Sequence, residues 1–268
     1  MIRHLTRCQS DQWERLQGEL TAWAAASLAV AGWLVFFREL ARTQPDIWLV
    51  ILAMAGAIVV SLGYALTTVI LSILLGLPAA WLLSQHQRSR RMIHKVARFV
   101  EPILMLPLGT SAVTMGLGLL VAFDRPPLDL RASPILVPLA HTLVAFPFVV
   151  RSLLPAWRSI RPQLHRAAAV LGANNLQTIL RVDLPLIGRA VAVAAVFAFS
   201  ISLGEFGATA LLARPEFPTI PIAIYRYLSQ PGEMNYGQAL ALSVILMLVT
   251  AFGMIAIERL RVGEIGEF

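Results

Sequence analysis

Apolar residues fall in six long runs along this chain, and polar residues collect between them. The runs cover 22–37, 57–83, 99–123, 133–153, 186–212 and 236–257. A bilayer's hydrocarbon core is crossed by roughly 20 apolar residues wound as a helix. Backbone groups cannot stay unpaired in lipid, so each run predicts a transmembrane helix and the fold class is all-α integral membrane. Residues 21–260 form the expected membrane domain, with a mixed-polar lead-in at 1–20 and a short tail at 261–268. The lead-in is too long before its apolar run to be an ordinary signal peptide. One region is open to two counts: 47–83 is apolar for 37 residues, enough for a tilted span with a half-buried extension or for two short spans. Six spans is the reading adopted.

Between the fourth and fifth runs lies a polar, Arg-rich island. Pro162 suits the first turn of a helix, where a missing N–H costs little. Residues 163–171 continue it, and the small side chains from Ala167 to Ala169 allow another backbone to approach closely. Gly172 can adopt the left-handed conformation that ends a helix, and Asn174 or Asn175 can cap the next. That second helix, 176–182, is expected to stop before Pro185. Over 154–190 five arginines outweigh Asp183, a net charge of about +4. On these residues alone, a loop lying on the membrane and an element offered to a partner are both open.

Composition agrees with the membrane class: 57% of residues are hydrophobic, 14% are charged, and mean hydropathy is +0.72. The net charge of +7 does not read as nucleic-acid binding. All but one of the 22 basic residues are Arg, and sixteen fall in the N-terminus, 84–98, 151–190 and the C-terminal tail. The other six, Arg38, Arg42, Arg125, Arg131, Arg214 and Arg226, lie on the opposite side. Positive charge marks the cytosolic face, so both termini are expected there. Cys8 is the lone cysteine, which excludes an intrachain disulfide.

Two polar residues interrupt the runs. Glu205 is an acid near the outer end of the fifth run, flanked by Gly204 and Gly207, which suggests a break in the helix. Such a residue faces the bundle interior, a water-filled cavity or a partner. A gate or pathway role and an interfacial carboxylate bonded to a neighbouring helix or to Arg214 both stand. His141, three residues after Pro138, is a pathway candidate or a structural hydrogen-bonding group. Pro78, Pro102, Pro107, Pro138, Pro147, Gly116 and Gly118 suit kinked, closely packed helices. The segment 213–235, rich in Pro, predicts a rigid external loop with a short amphipathic helix at 222–228.

No phosphate-binding loop of the Gly-x4-Gly-Lys-Ser/Thr type occurs, and Lys95 is the chain's one lysine, so ATP is not bound by that route. No nucleophile elbow or His-Glu-x-x-His pattern occurs either, and no cofactor or metal site is expected.

The island resembles the EAA signature of permease subunits of ATP-binding-cassette importers. Ala167, Ala168, Gly172, Leu184 and Pro185 are in register with it, Val182 replaces an Ile, and Arg166 stands where the pattern has Glu. The runs 105–111, 141–147 and 202–208 resemble the thiamine/iron(III) branch of these permeases, in its C-terminal half. Gly204-Glu205-Phe206-Gly207 also occurs in relatives that handle oxyanions. The resemblance covers roughly 61–260. It implies that residues about 158–185 form a coupling loop, with Arg166, Ala167, Ala168, Gly172, Val182, Leu184 and Pro185 docking on a separate ATPase subunit. It further implies a periplasmic substrate-binding protein, a second permease half (a copy of the chain or a sister) and an inner-membrane location. The solute would be thiamine-like, iron(III) or an oxyanion. An ion-coupled secondary transporter or a non-transporting scaffold are the rival readings.

Overall fold

The computed structural model describes residues 47–85, 102–125, 130, 131 and 133–262, and the regular structure among them is helical throughout. The chain divides into two compact units, Met1–Ala53 and Met54–Phe268, and the second holds the helix-packing core. The first expected span, 22–37, the lead-in at 1–20 and residues 263–268 lie outside the described residues, as does most of 84–98.

Helix α1, Ile47–Gln85, is one continuous helix of 39 residues with Pro78 inside it. The ambiguous apolar stretch is therefore a single rod. At 1.5 Å per residue it is about 58 Å long, roughly twice the thickness of a hydrocarbon core. Gly76 lets α1 lie against α4 (Leu136–Ser159), since a Cβ there would sit 2.6 Å from Val149 Cγ1.

The run 99–123, expected as one span with kink-forming prolines, is sharply broken within its described residues. Helix α2, Pro102–Gly109, and helix α3, Ala112–Ala122, meet at 110°. Thr110 closes the corner by bonding the Pro107 carbonyl with both its N–H (3.4 Å) and its hydroxyl (3.2 Å). Ser111 then enters α3 extended, at φ −67° and ψ 138°. Apolar composition runs through the corner unbroken, which is why the run reads as one span.

The polar, Arg-rich island holds α5 (Pro162–Val170), α6 (Asn175–Thr178), a π-helical segment (Ile179–Asp183) and α7 (Leu184–Leu186). Helix α8, Gly188–Gly204, leaves it at a bend of 70°. The short α9 (Gly207–Leu212) and α10 (Ile220–Leu228) follow, and α11 (Glu233–Val262) closes the described chain. Among the described residues three helices are long and apolar enough to cross a membrane, within α1, α4 and α11, and up to five if each bent pair is one span.

The core lies where α1, α4 and α8 meet, around Ala80, Ala145, Val149, Leu153, Ala194 and Ala198. Alanines at the crossings let the helices approach closely, and van der Waals packing of this kind holds helices together where lipid removes the hydrophobic drive. Large apolar side chains point outward instead, among them Val59, Leu66, Ile70 and Leu74 of α1 and Val244, Met247, Phe252 and Ile255 of α11. So continuous an apolar exterior suits lipid and not water.

Candidate functional site

The island is built from local rules. Pro162 occupies the first turn of α5, as expected. The helix ends in a Schellman cap: Ala173 N–H donates to Ala168 O and Gly172 N–H to Ala169 O, both at 3.0 Å. Gly172 has φ +78°, the left-handed conformation this cap demands. Asn174 then opens α6 with a reciprocal box. Its Oδ1 accepts from Gln177 N–H at 2.8 Å, and its own N–H donates to Gln177 Oε1 at 3.0 Å.

The second helix does not stop before Pro185. The winding widens into the π segment Ile179–Asp183 and continues through Leu184–Leu186, with Pro185 at its first turn. A proline lacks an N–H, so it is tolerated where a new helical register begins. The π turn supplies that fresh start.

The same widening turns Asp183 inward, where it is 1% exposed. Its Oδ1 lies 2.9 Å from His165 Nε2, an ion-pair distance whose alignment falls short of a hydrogen bond. This contact ties α5 to the π segment. It was not legible in the chain, because it depends on the π register.

The candidate coupling residues divide by exposure. Ala168 is buried under α5, Val182 and Leu184 are half-buried, and Arg166, Ala167, Gly172 and Pro185 are exposed. The most exposed apolar side chains of the island sit at the turn itself: Val170 is 88% exposed and Leu171 86%. Leu176 and Leu180 extend the exposed apolar edge.

A second polar constellation surrounds the break after α8. Helix α8 stops at Gly204, Glu205 and Phe206 are non-helical, and α9 begins at Gly207. The break expected from the Gly-Glu-Phe-Gly run is present. Glu205 is half-buried, and its Oε1 accepts from the Ala208 N–H at 3.0 Å, so its partner is the start of α9 and not a neighbouring helix.

His141 of α4 is fully buried beside this break. Its Nδ1 lies 2.7 Å from Ser202 Oγ in α8, and its Nε2 lies 2.7 Å from Thr209 Oγ1 in α9. Ser202 reaches Thr68 of α1 at 3.3 Å, and Thr209 donates to the Glu205 carbonyl at 3.0 Å. Both ring nitrogens are engaged by these hydroxyls, an arrangement that fits a structural hydrogen-bonding group. Among the described residues no His, Cys, Asp or Glu cluster could hold a metal ion.

Close packing frames the break. A Cβ on Gly116 of α3 would meet Ala208 Cα at 2.9 Å and Ala208 O at 3.0 Å. One on Gly207 would meet Val113 at 3.2 Å and Ala112 at 3.3 Å. Phe206 packs on Tyr225 of α10, with ring centroids 5.6 Å apart. Helix α10, in the segment expected to be external, is held to α1 by the Ile220 N–H bond to Ser61 Oγ at 2.7 Å. Thr68, Ser202 and Thr209 were missed in the chain, whereas Gly116 was among the residues expected to allow close packing. A signal existed for the hydroxyls, since polar side chains in apolar spans seek partners across helices.

No family model matches the chain. It is 34% identical over 223 residues to the molybdenum transport system permease protein ModB of Mycobacterium tuberculosis, covering 77% of this chain and 80% of that protein. Against ModB of Escherichia coli K12 it is 30% identical over 227 residues, 78% of this chain and 96% of that one. PhnV of Salmonella paratyphi A, named as a 2-aminoethylphosphonate transport system permease protein, is 29% identical over 172 residues. That region is 63% of this chain, and the chain spans only 64% of the length of this Salmonella relative. None of these three is named for thiamine or iron(III), so the expected branch is not the one they represent.

Among solved structures, the methionine ABC transporter MetNI in inward-facing conformations gives a TM-score of 0.60 at 17% identity, covering 81% of this chain and 99% of that chain. A bacterial alginate ABC transporter in complex with its periplasmic protein gives 0.55 at 24%, covering 74% and 76%. At these identities the likeness is one of fold. With 34% identity across 80% of the tuberculosis protein, the chain belongs to the permease subunits of ATP-binding-cassette importers.

Proposed function

We propose that this chain is the membrane-spanning half of an importer, and that α5 with the turn after it is the element through which a separate ATPase subunit drives it. The observation that carries the reading is the state of Val170 and Leu171. Two large apolar side chains stand almost wholly in solvent at the tip of a helix fixed by a Schellman cap on one side and a capping box on the other. Such a pair is costly to leave uncovered and well suited to fill a pocket on a partner. The rigid caps would pass the partner's movement into α8 through the π segment and α7. ATP-driven closure of the ATPase pair supplies the differential contact that biases a two-state membrane element.

The gate in this reading is the break at Gly204–Gly207, with Glu205 capping α9 and His141 holding both sides. A second permease half completes the path, and a periplasmic binding protein delivers the solute on the side of α10. Both termini lie in the cytosol and the chain sits in the bacterial inner membrane. The solute belongs to the small oxyanions, which is supported by relatives named for 2-aminoethylphosphonate and molybdenum transport.

The test is gentle detergent purification of the tagged chain from its own host, with mass spectrometry of the proteins that accompany it. An ATPase subunit is expected, together with a second permease copy or sister. Recovery of the chain alone across several detergents would contradict the reading.

A further inference from the structure

We propose that the ATPase surface docking on α5 is an apolar socket rimmed by carboxylates, opposite in charge to the surface that a Glu-bearing coupling helix would require. This rests on the importer reading above and names the chemistry of the partner at that same site. The first support is the fate of Asp183. It is the one acidic residue of the 154–190 segment, and the π segment buries it against His165. No carboxylate of the island therefore faces solvent. Arg161, Arg166 and Arg181 are all exposed.

The second support is the placement of charge and apolar surface on α5. Residues four apart share a helix face, so Arg166 and Val170 lie in one stripe. His165 and Ala168 form the opposite, inward stripe, and both are less exposed than their outward neighbours. The outward face of α5 is thus Gln163, Arg166, Ala167 and Val170, with Leu171 at its end and Leu164, 41% exposed, at its margin. A cation stands one turn from the apolar tip, at the position where the EAA pattern has Glu.

The third is what the face lacks. A helix that lies on a membrane has a broad stripe of large apolar residues along its length. Helix α5 has nine residues, and its outward face interposes Gln163 and Arg166 before the apolar tip. A small apolar knob ringed by polar groups fits a protein pocket with a polar rim, in which the knob supplies the affinity. The rim charges would set partner choice and the speed of encounter.

The experiment uses the full chain in nanodiscs and the ATPase subunit recovered with it, purified separately. Association and dissociation rates are measured from low to high salt. The association rate is expected to fall with salt, since exposed charges are screened within about 10 Å at 0.1 M. Arg166→Glu is expected to slow association on the order of tenfold and to weaken the salt dependence. Arg166→Lys keeps the charge and should stay near the native rate, and the exposure of residue 166 makes either variant benign for folding. A second probe places a fluorophore at Val170→Cys, with Cys8→Ser, beside brominated lipids. Relief of any quenching on adding the ATPase supports docking. Rates indifferent to salt and to Arg166→Glu would overturn the acidic socket while leaving the importer reading intact. A lipid-quenched label that the ATPase does not move would overturn the socket together with the coupling role of α5. Failure of the native chain to bind any ATPase would overturn both.

Discussion

Ser202 and Thr209 stand on opposite sides of the helix break at Glu205, and one imidazole, that of His141, reaches both hydroxyls at 2.7 Å. Thr209 gives its own proton to the Glu205 carbonyl, so it accepts from His141 Nε2–H. Ser202 Oγ meets Nδ1 on the other side and also reaches Thr68 Oγ1, so its one proton serves one of these two contacts. The imidazole acts as a splint across a break that would otherwise leave backbone and side-chain groups unpaired at membrane depth.

His141→Ala removes both bonds and leaves Thr209 with the Glu205 carbonyl and Ser202 with Thr68. Each lost bond is worth about 1 kcal/mol, and interhelical bonds in membranes tend to the low end. The melting temperature in detergent should fall, and Thr209→Val should lower it less, because one bond of the pair survives. Equal melting of His141→Ala and the native chain would rule out the splint.

Gly116 and Gly118 make a matched pair on α3. A methyl at Gly116 collides with the Ala208 backbone, whereas one at Gly118 meets nothing within 4 Å. Gly116→Ala should destabilise by roughly 1–3 kcal/mol through overpacking. Gly118→Ala should be neutral or stabilising by up to about 1 kcal/mol, since alanine is the better helix former. The two thermal shifts, measured side by side, check the α3–α9 contact.

Asn174→Ala removes the acceptor for Gln177 N–H. Loss of an N-cap of this kind costs about 1 kcal/mol. The effect is local, so amide exchange should speed over residues 175–178 while α4 and α8 keep their protection. Exchange that is unchanged at the start of α6 would show the cap to be unimportant there.

The parts of this molecule that were legible in the chain obey short-range rules. Pro162, Gly172 and Asn174 each announce a helix end by what their own backbone can do, and all three stand where those rules place them. Gly204 and Gly207 announced the break in the same way. The rest depends on distant partners or on register. His141 is bonded to residues 61 and 68 positions away. Asp183 turns inward because of a π segment that no propensity at Ile179–Asp183 signals. The corner at Thr110 hides in an apolar run whose composition does not change across it.

Gly172 tests whether the cap matters for coupling. Its φ of +78° strains a side-chain-bearing residue even though nothing crowds the position. Gly172→Val should cost about 1–3 kcal/mol locally and loosen the turn that presents Val170 and Leu171. Gly172→Asn tolerates the left-handed region and should retain function. In proteoliposomes the valine variant is expected to remain in the membrane while ATP hydrolysis no longer drives uptake. Full transport by Gly172→Val would contradict a coupling role for this turn.

A cross-link from the tip itself probes the coupling element where it would touch its partner. With Cys8→Ser as background, Val170→Cys carrying a short photo-reactive group is assembled in nanodiscs with the ATPase subunit. The expected product joins the two chains at a single groove on the ATPase, with a yield that changes when ATP is added. A label at residue 170 that reacts only with lipid or water, in a complex that still hydrolyses ATP, would contradict the placement of the coupling element in α5.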